Sequence, residues 1–430
     1  MDRQTAKQQN LGDFWQGHDD DPLAAPPDFS AWREATRPEQ SLFRRPLASA
    51  SGARTRFHIG DSERELVNLA SLDYLGLNRD PRVVRSARSA LETWGTGSCG
   101  VALLSGTTAL HLELESCVSE SLGRPSTMLF PSGFSGGFGL MSGLLRRGDV
   151  AIADEKAHMC WLDGVRSSGA QLAMFRHEDA SSLDEELTRH KGKRRLVVVD
   201  GIYSMDGDVA NLPAILDVCD AHQVGLIVDE AHSIFAIGEH GGGATEVYDV
   251  ARRVRLLFGT FSKSIASMGG FASGPRELLE YARLYAHPFG FSASLPPPVV
   301  AANIEAVRIA RAEPERRSRL AEHATYFRGA LHSMGLDTGL STTHVVPIMV
   351  GAERDLLYDA ALEMLERGLY ILPIDYPAVP EDRVRLRASI SAGHSRADLD
   401  MALSIIEDSV AKPLRARGKL GRPAHAERAG

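Results

Sequence analysis

The chain has 430 residues, 43% hydrophobic and 24% charged, long enough for two or three subdomains around a large core; a peptide or a small disulfide-stapled module is excluded. Lys and Arg number 48 against 56 Asp and Glu, a formal charge of −8, so no strong positive field is available to hold a nucleic-acid backbone and no nucleic acid is expected as a partner. The 4 cysteines contain no C-x-x-C spacing, which argues against zinc ribbons and disulfide frameworks and for buried thiols in a reducing compartment; no metal site is expected.

The N-terminus lacks an apolar signal core, and no run reaches the roughly 20 apolar residues of a membrane helix. A soluble cytoplasmic protein with no membrane span is expected. Residues 1–66, with a DDDP run at 19–22 and few periodic apolar stretches, read as an N-terminal arm, extended or carrying a pair of short helices. From Val67 short apolar runs alternate with helical segments. The runs at 126–130, 150–153, 196–199, 226–228 and 256–258 are short and largely apolar, as strands buried on both faces must be. The last three are about 30 residues apart, the size of a βα repeat, so 67–298 reads as a large α/β domain on a mostly parallel sheet. After the LPPP cluster at 295–298, a helical stretch to about Met334, strands at 344–350 and 384–390 and helices at 356–367 and 397–410 describe a smaller α+β domain, 299–411. The basic segment 412–430 reads as a disordered tail.

In an open α/β sheet ligands sit beyond the carboxyl ends of the strands. The polar residues that follow the apolar runs are Pro131-Ser-Gly133, Asp154, Asp200, Asp229-Glu-Ala-His232 and Gly259-Thr-Phe-Ser-Lys263. The DEAH tetrad invites a helicase reading, but a helicase needs a G-x-x-x-x-G-K-[ST] phosphate loop. Around Lys263-Ser264 the two glycine positions hold Leu257 and Ser262, which removes that reading.

A lysine placed after a buried strand and before a small, Gly-containing segment suits another chemistry, an amine that loses its proton and forms a Schiff base with an aldehyde cofactor. Pyridoxal phosphate (PLP) then calls for a carboxylate at its pyridine nitrogen, a backbone-rich phosphate cup and a flat group against the ring. Asp229 is the candidate carboxylate, with His232 close behind to reach the phenolic oxygen. Ser132, Gly133 and Phe134 open a helix after a strand, the arrangement that binds phosphate, and Thr260 adds a hydroxyl. His158 is the candidate for stacking and Ser204 for a second polar contact.

From 67 to 410 these residues resemble the α-oxoamine synthases, PLP enzymes of fold type I, and look nearest to the serine palmitoyltransferases and the quorum-signal synthases that make α-amino ketones. The resemblance rests on several motifs in the family's order: Ser71-Leu-Asp-Tyr-Leu-Gly76, Ser105-Gly-Thr-Thr-Ala-Leu-His-Leu-Glu-Leu-Glu115, Ile202-Tyr-Ser-Met-Asp-Gly-Asp208, Asp229-Glu-Ala-His232, Gly238-Glu-His-Gly-Gly-Gly243, Gly259-Thr-Phe-Ser-Lys263 and Phe291-Ser-Ala-Ser-Leu-Pro296. It implies a homodimer with shared active sites, Ser294 lying in the segment offered to the neighbour, His158 stacked on the cofactor, Gly133 with Phe134 in the phosphate cup, and Arg387 on the substrate carboxylate, for which a guanidinium fork is suited. Three positions depart from the family's pattern: Leu72 for an Asn near that carboxylate, Ala102 for an Arg, and Gly137 for an Asn. They imply an altered substrate pocket.

The reaction so implied is the decarboxylative condensation of a small amino acid (serine, alanine, glycine or similar) with an acyl thioester, on coenzyme A or an acyl carrier protein, to give an α-amino ketone. Lys263, Asp229 and His158 are its expected catalytic residues. An aminotransferase or lyase of the same fold shares Lys263 and Asp229 without the thioester step, and a non-catalytic PLP-fold partner subunit is the third reading.

Overall fold

The structure is a computed structural model that describes residues 1–15 and 21–420. The chain divides into two compact units, 1–71 with 323–430 and 72–322. Among the described residues no helix is long and apolar enough to cross a membrane.

The first unit begins with short helices. The indole N–H of Trp32 donates to the carbonyl of Ala6 at 3.1 Å, and its ring lies against Phe14 and Phe29, with centroids 5.1 and 5.9 Å away. Strands β1 (Arg54–Ile59) and β2 (Ser62–Asn68) form an antiparallel hairpin.

The larger unit holds seven strands: β3 (Ser126–Phe130), β4 (Val150–Asp154), β5 (Gln171–Phe175), β6 (Arg195–Asp200), β7 (Gly225–Asp229), β8 (Leu256–Thr260) and β9 (Gly270–Gly274). Their order is β3-β9-β8-β7-β6-β4-β5, with β9 antiparallel to both neighbours and the remaining pairings parallel. Every residue of β3, β4, β8 and β9 is buried, because helices cover both faces; that burial explains the unbroken apolar runs. The five strands expected in this region are present. β9 has the composition GFASG and β5, at the sheet edge, buries only Ala173 and Phe175, so neither carries the apolar run that marks the others.

Returning to the first unit, β10 (Val345–Gly351), β11 (Leu369–Tyr370), β12 (Leu372–Ile374) and β13 (Val384–Ser389) complete it. β11 joins β2 in parallel, and β13 lies between β10 and β12 in an antiparallel sheet.

The domain boundaries expected from sequence need correction. Residues 1–66 are not a separate arm, since β2 pairs with β11 and the hydroxyl of Tyr370 donates to the carbonyl of Leu42 at 2.8 Å. Residues 299–322 belong with the large unit, because helix Pro297–Ala312 packs on helices Pro81–Trp94 and Ala109–Leu122. The tail expected at 412–430 starts as a helix, Lys412–Ala416, with Leu414 buried; residues 421–430 lie outside the described residues. Cys160 and Cys219 are buried thiols as expected, whereas Cys99 is exposed.

Candidate active site

The register of the large sheet brings its chemistry to one edge. Asp200 pairs with Asp229 across β6 and β7, and Gly270 pairs with both Phe130 and Thr260. The segments after β3, β4, β6, β7 and β8 therefore leave the sheet side by side, and they carry Ser132-Gly-Phe134, His158, Ser204, His232 and Lys263.

Helix Gly133–Leu144 begins beyond β3 with a capping box: the backbone N–H of Ser135 donates to Oγ of Ser132 at 3.1 Å, and Oγ of Ser135 receives the N–H of Ser132. The hydroxyl of Ser132 thus serves the helix, while the first-turn N–H groups of Gly133 and Phe134 have no intrahelical acceptor. A Cβ on Gly133 would stand 3.0 Å from Oγ1 of Thr260, so the glycine lets the helix end approach β8. Thr260 itself donates to the carbonyl of Gly269 at 2.7 Å and accepts the N–H of Ser262 at 3.2 Å.

Asp229 is 4% exposed. Its Oδ1 accepts the N–H of Ala231 at 2.9 Å and its Oδ2 the indole N–H of Trp161 at 2.8 Å. Asp200 accepts the backbone N–H of His158 at 3.2 Å; burial and then the charge of Asp229 push its pKa well up, favouring the neutral acid. His158 caps helix Met159–Ser168, its Nδ1 accepting the N–H of Cys160 at 3.3 Å. Burial lowers its pKa, against the opposing charge of Asp229 and with the added charge of Lys263, so the neutral imidazole is favoured. Burial pushes the thiol of Cys160 strongly up, keeping it protonated. Behind β7, Nδ1 of His232 is 2.8 Å from the hydroxyl of the buried Tyr74. Lys263 is half-buried in the turn after β8, where the N–H of Ala266 donates to its carbonyl at 2.7 Å.

Glu230, the second letter of DEAH, is fully buried and accepts the N–H groups of Ala244 and Thr245, each at 2.8 Å. It anchors the glycine-rich loop at 238–243 and needs no catalytic role.

Ser204 sits in a turn at 204–206 beyond β6. Ser294 packs against Gly100 and Gly106, its buried Oγ without a hydrogen-bond partner. Leu72 is half-buried in the larger unit; Arg387 is half-buried on β13 of the other, opposite Pro347 and Leu372. Gly137 turns into the core, where a Cβ would meet Sγ of Cys160 at 2.5 Å, and Ala102 packs at the edge of the same core. Gly137 therefore has a packing role, while Ala102 also lines a small cavity with Thr107, His111 and Ser294. Sequence reasoning missed two partners of the named groups, Tyr74 on His232 and Trp161 on Asp229; Asp200, which it did name at a strand end, holds the backbone N–H of His158, and Tyr74 lay in the Ser71–Gly76 motif, which was the available signal.

These residues fit PLP: an amine, a buried carboxylate held by two donors, a histidine ring, and a helix end brought close by glycine form the donor set that cofactor needs. The family model for class I and II aminotransferases matches residues 64–406. An 8-amino-7-oxononanoate synthase of Thermoanaerobacter pseudethanolicus is 37% identical over 363 residues, 84% of this chain and 91% of its own, and one from Bacillus subtilis is 35% identical over 347 residues, 80% and 88% of the two chains. Among solved structures, the serine palmitoyltransferase of Sphingomonas wittichii superimposes with a TM-score of 0.87 at 29% identity, covering 93% of this chain and all of its own. A serine palmitoyltransferase from S. paucimobilis, solved with PLP and myriocin, gives 0.85 at 30% identity over 90% and 97%. The chain belongs to the α-oxoamine synthases, PLP-dependent fold type I acyltransferases that condense an amino acid with an acyl thioester, with loss of CO2, to give an α-amino ketone.

Proposed function

We propose that this enzyme takes a small amino acid, of the serine, alanine or glycine class, and an acyl thioester carried on coenzyme A or an acyl carrier protein. The observation that carries this reading is the meeting of His158, Asp229, Thr260 and Lys263 at one edge of the sheet, with Gly133 closed against Thr260. Bound PLP supplies an electron sink for the carbanion that forms at the amino acid's Cα.

The side chains do the rest. Nζ of Lys263 takes the Cα proton and later returns one to the product carbon. Asp229, held by Ala231 and Trp161, keeps a proton on the pyridine nitrogen. His158 covers the ring face as a neutral imidazole, and His232, oriented by Tyr74, serves the phenolic oxygen. The N–H groups of Gly133 and Phe134, with Ser132 holding the helix end and Thr260 beside it, receive the phosphate; Ser204 adds a polar contact. Arg387 grips the substrate carboxylate, and Leu72 supplies an apolar wall where the family's Asn stands.

We assign the protein to a cytoplasmic homodimer in which Ser294 faces the neighbour's site. Supporting this, Phe291 and Leu104 of the large unit are 84% and 80% exposed, an exposure expected of residues that a second copy covers.

The test is a panel of amino acids and acyl-coenzyme A chain lengths given to the purified protein, with products identified by mass and thiol release followed in parallel. An α-amino ketone formed with stoichiometric thiol release is expected. Keto acid or elimination product without thiol release would overturn the reading in favour of an aminotransferase or lyase.

A further inference from the structure

Trp161 is wholly buried, one of the largest side chains in the core, and meets Phe258 edge-on with ring centroids 5.0 Å apart at 81°. A buried indole needs an acceptor for its N–H. Here the acceptor is the carboxylate proposed to face the pyridine nitrogen, with Nε1 2.8 Å from Oδ2 of Asp229.

The second bond to Asp229 lies on the other oxygen, from the N–H of Ala231 to Oδ1. The last torsion of an aspartate is broad and nearly two-fold, so one donor leaves the carboxylate plane free to turn. Two donors on different oxygens fix it. A carboxylate has about four lone-pair positions, and these two donors occupy two of them. Trp161 also sits three residues along the helix that His158 caps, so one rigid element sets both the ring-covering imidazole and the carboxylate plane.

Gly137 lies against the same helix: a Cβ there would meet Sγ of Cys160 at 2.5 Å and touch Cδ2 of Trp161 at an ordinary 3.5 Å. Asp229 also acts electrostatically on His158 and Asp200, which lie near it with Lys263.

We propose that Trp161 is a positioning residue for the reaction, acting through Asp229 by orienting its carboxylate toward the pyridine nitrogen. The proposal rests on the assignment of Asp229 above. Its action is indirect, so Trp161→Phe, which keeps the ring and removes the N–H, is the informative variant.

A double-variant cycle separates it from a merely structural role. Trp161→Phe is expected to weaken PLP binding about 10-fold and to lower kcat about 10-fold, the loss of one charge-assisted hydrogen bond, with KM for the amino acid little changed. In an Asp229→Asn background the same substitution should change either quantity less than about twofold, since the carboxylate it orients is gone. Equal effects in both backgrounds, or none in the wild type, would overturn the proposal. If Asp229→Asn alone leaves kcat intact, it is the assignment of Asp229 that fails.

A second measurement needs no change at Trp161. The chain has 4 tryptophans, so the protein labelled with 15N at the indoles gives four N–H signals without cofactor. One should move on Asp229→Asn and again on adding PLP to the wild type; four unmoved signals would overturn the proposal.

Discussion

Nε2 of His177 lies 2.8 Å from Oδ2 of Asp208, and the other nitrogen of the same ring lies 3.0 Å from Oδ1 of Asp154. Burial opposes a charge on this imidazole, but the two carboxylates outweigh it and raise its pKa to about 9. Glu178 is close enough that these groups would suit a metal, yet both ring nitrogens are engaged, so the ring serves as a cationic clamp. It ties the end of β4 to the segment 202–208 that carries Ser204.

The clamp has a pH signature. An imidazole that titrates near ~6.5 in the unfolded chain and higher in the native one stabilises the fold fully below that lower value, and the contribution is lost as pH rises through the folded pKa. For His177 the loss falls as pH climbs toward about 9. The melting temperature of the wild type should therefore drop by a few degrees more than that of His177→Gln between neutral and alkaline pH. Parallel melting curves across that range would show that the ring carries no charge in the native state.

Lys263→Ala removes the amine proposed to move the Cα proton. The visible absorption of the bound cofactor should vanish or shift, and turnover should fall on the order of 10³-fold, the usual worth of a positioned general base. Retention of both, read by absorbance and by product mass, would take Lys263 out of the reaction.

Arg387→Ala should raise KM for the amino acid about 10- to 100-fold, the value of a charge-assisted carboxylate bond, while KM for the thioester stays near the wild type. Arg387→Lys keeps the charge but loses the planar fork and should fall between the two. Equal changes in both KM values, measured by steady-state kinetics, would show that Arg387 supports the fold rather than the substrate.

Much of this was legible in the sequence because burial on both faces forces strands into unbroken apolar runs, as in β4, β6 and β7, and because an α/β sheet delivers its chemistry where those runs stop. Asp229, His158 and Lys263 were visible for that reason. β9 was not, since GFASG owes its burial to neighbouring strands rather than to its own side chains. The pairing of β2 with β11 joins residues some 300 apart in sequence, and no local pattern announces it. The partner of Asp229 was hidden for the same reason: Trp161 reads as a core aromatic until the fold brings its N–H to the carboxylate.

Gly137 shows how such a hidden contact can be tested through stability. In most helices an Ala in place of Gly gains up to ~1 kcal/mol. At this position a Cβ would stand 2.5 Å from Sγ of Cys160, inside van der Waals contact, and overpacking of that kind costs ~1–3 kcal/mol. The overlap outweighs the propensity, so Gly137→Ala should lower the melting temperature. Cys160→Ala removes the sulfur and leaves its Cβ, 3.3 Å from the added methyl, a tight but tolerable contact. It also forfeits the 3.0 Å approach of Sγ to Nδ1 of His158, so alone it should cost some stability. Combined, the two changes should destabilise less than the sum of the single effects, because the methyl occupies the room the sulfur leaves. Additive losses in thermal melts would mean that the strain of Gly137→Ala is carried elsewhere than at Cys160.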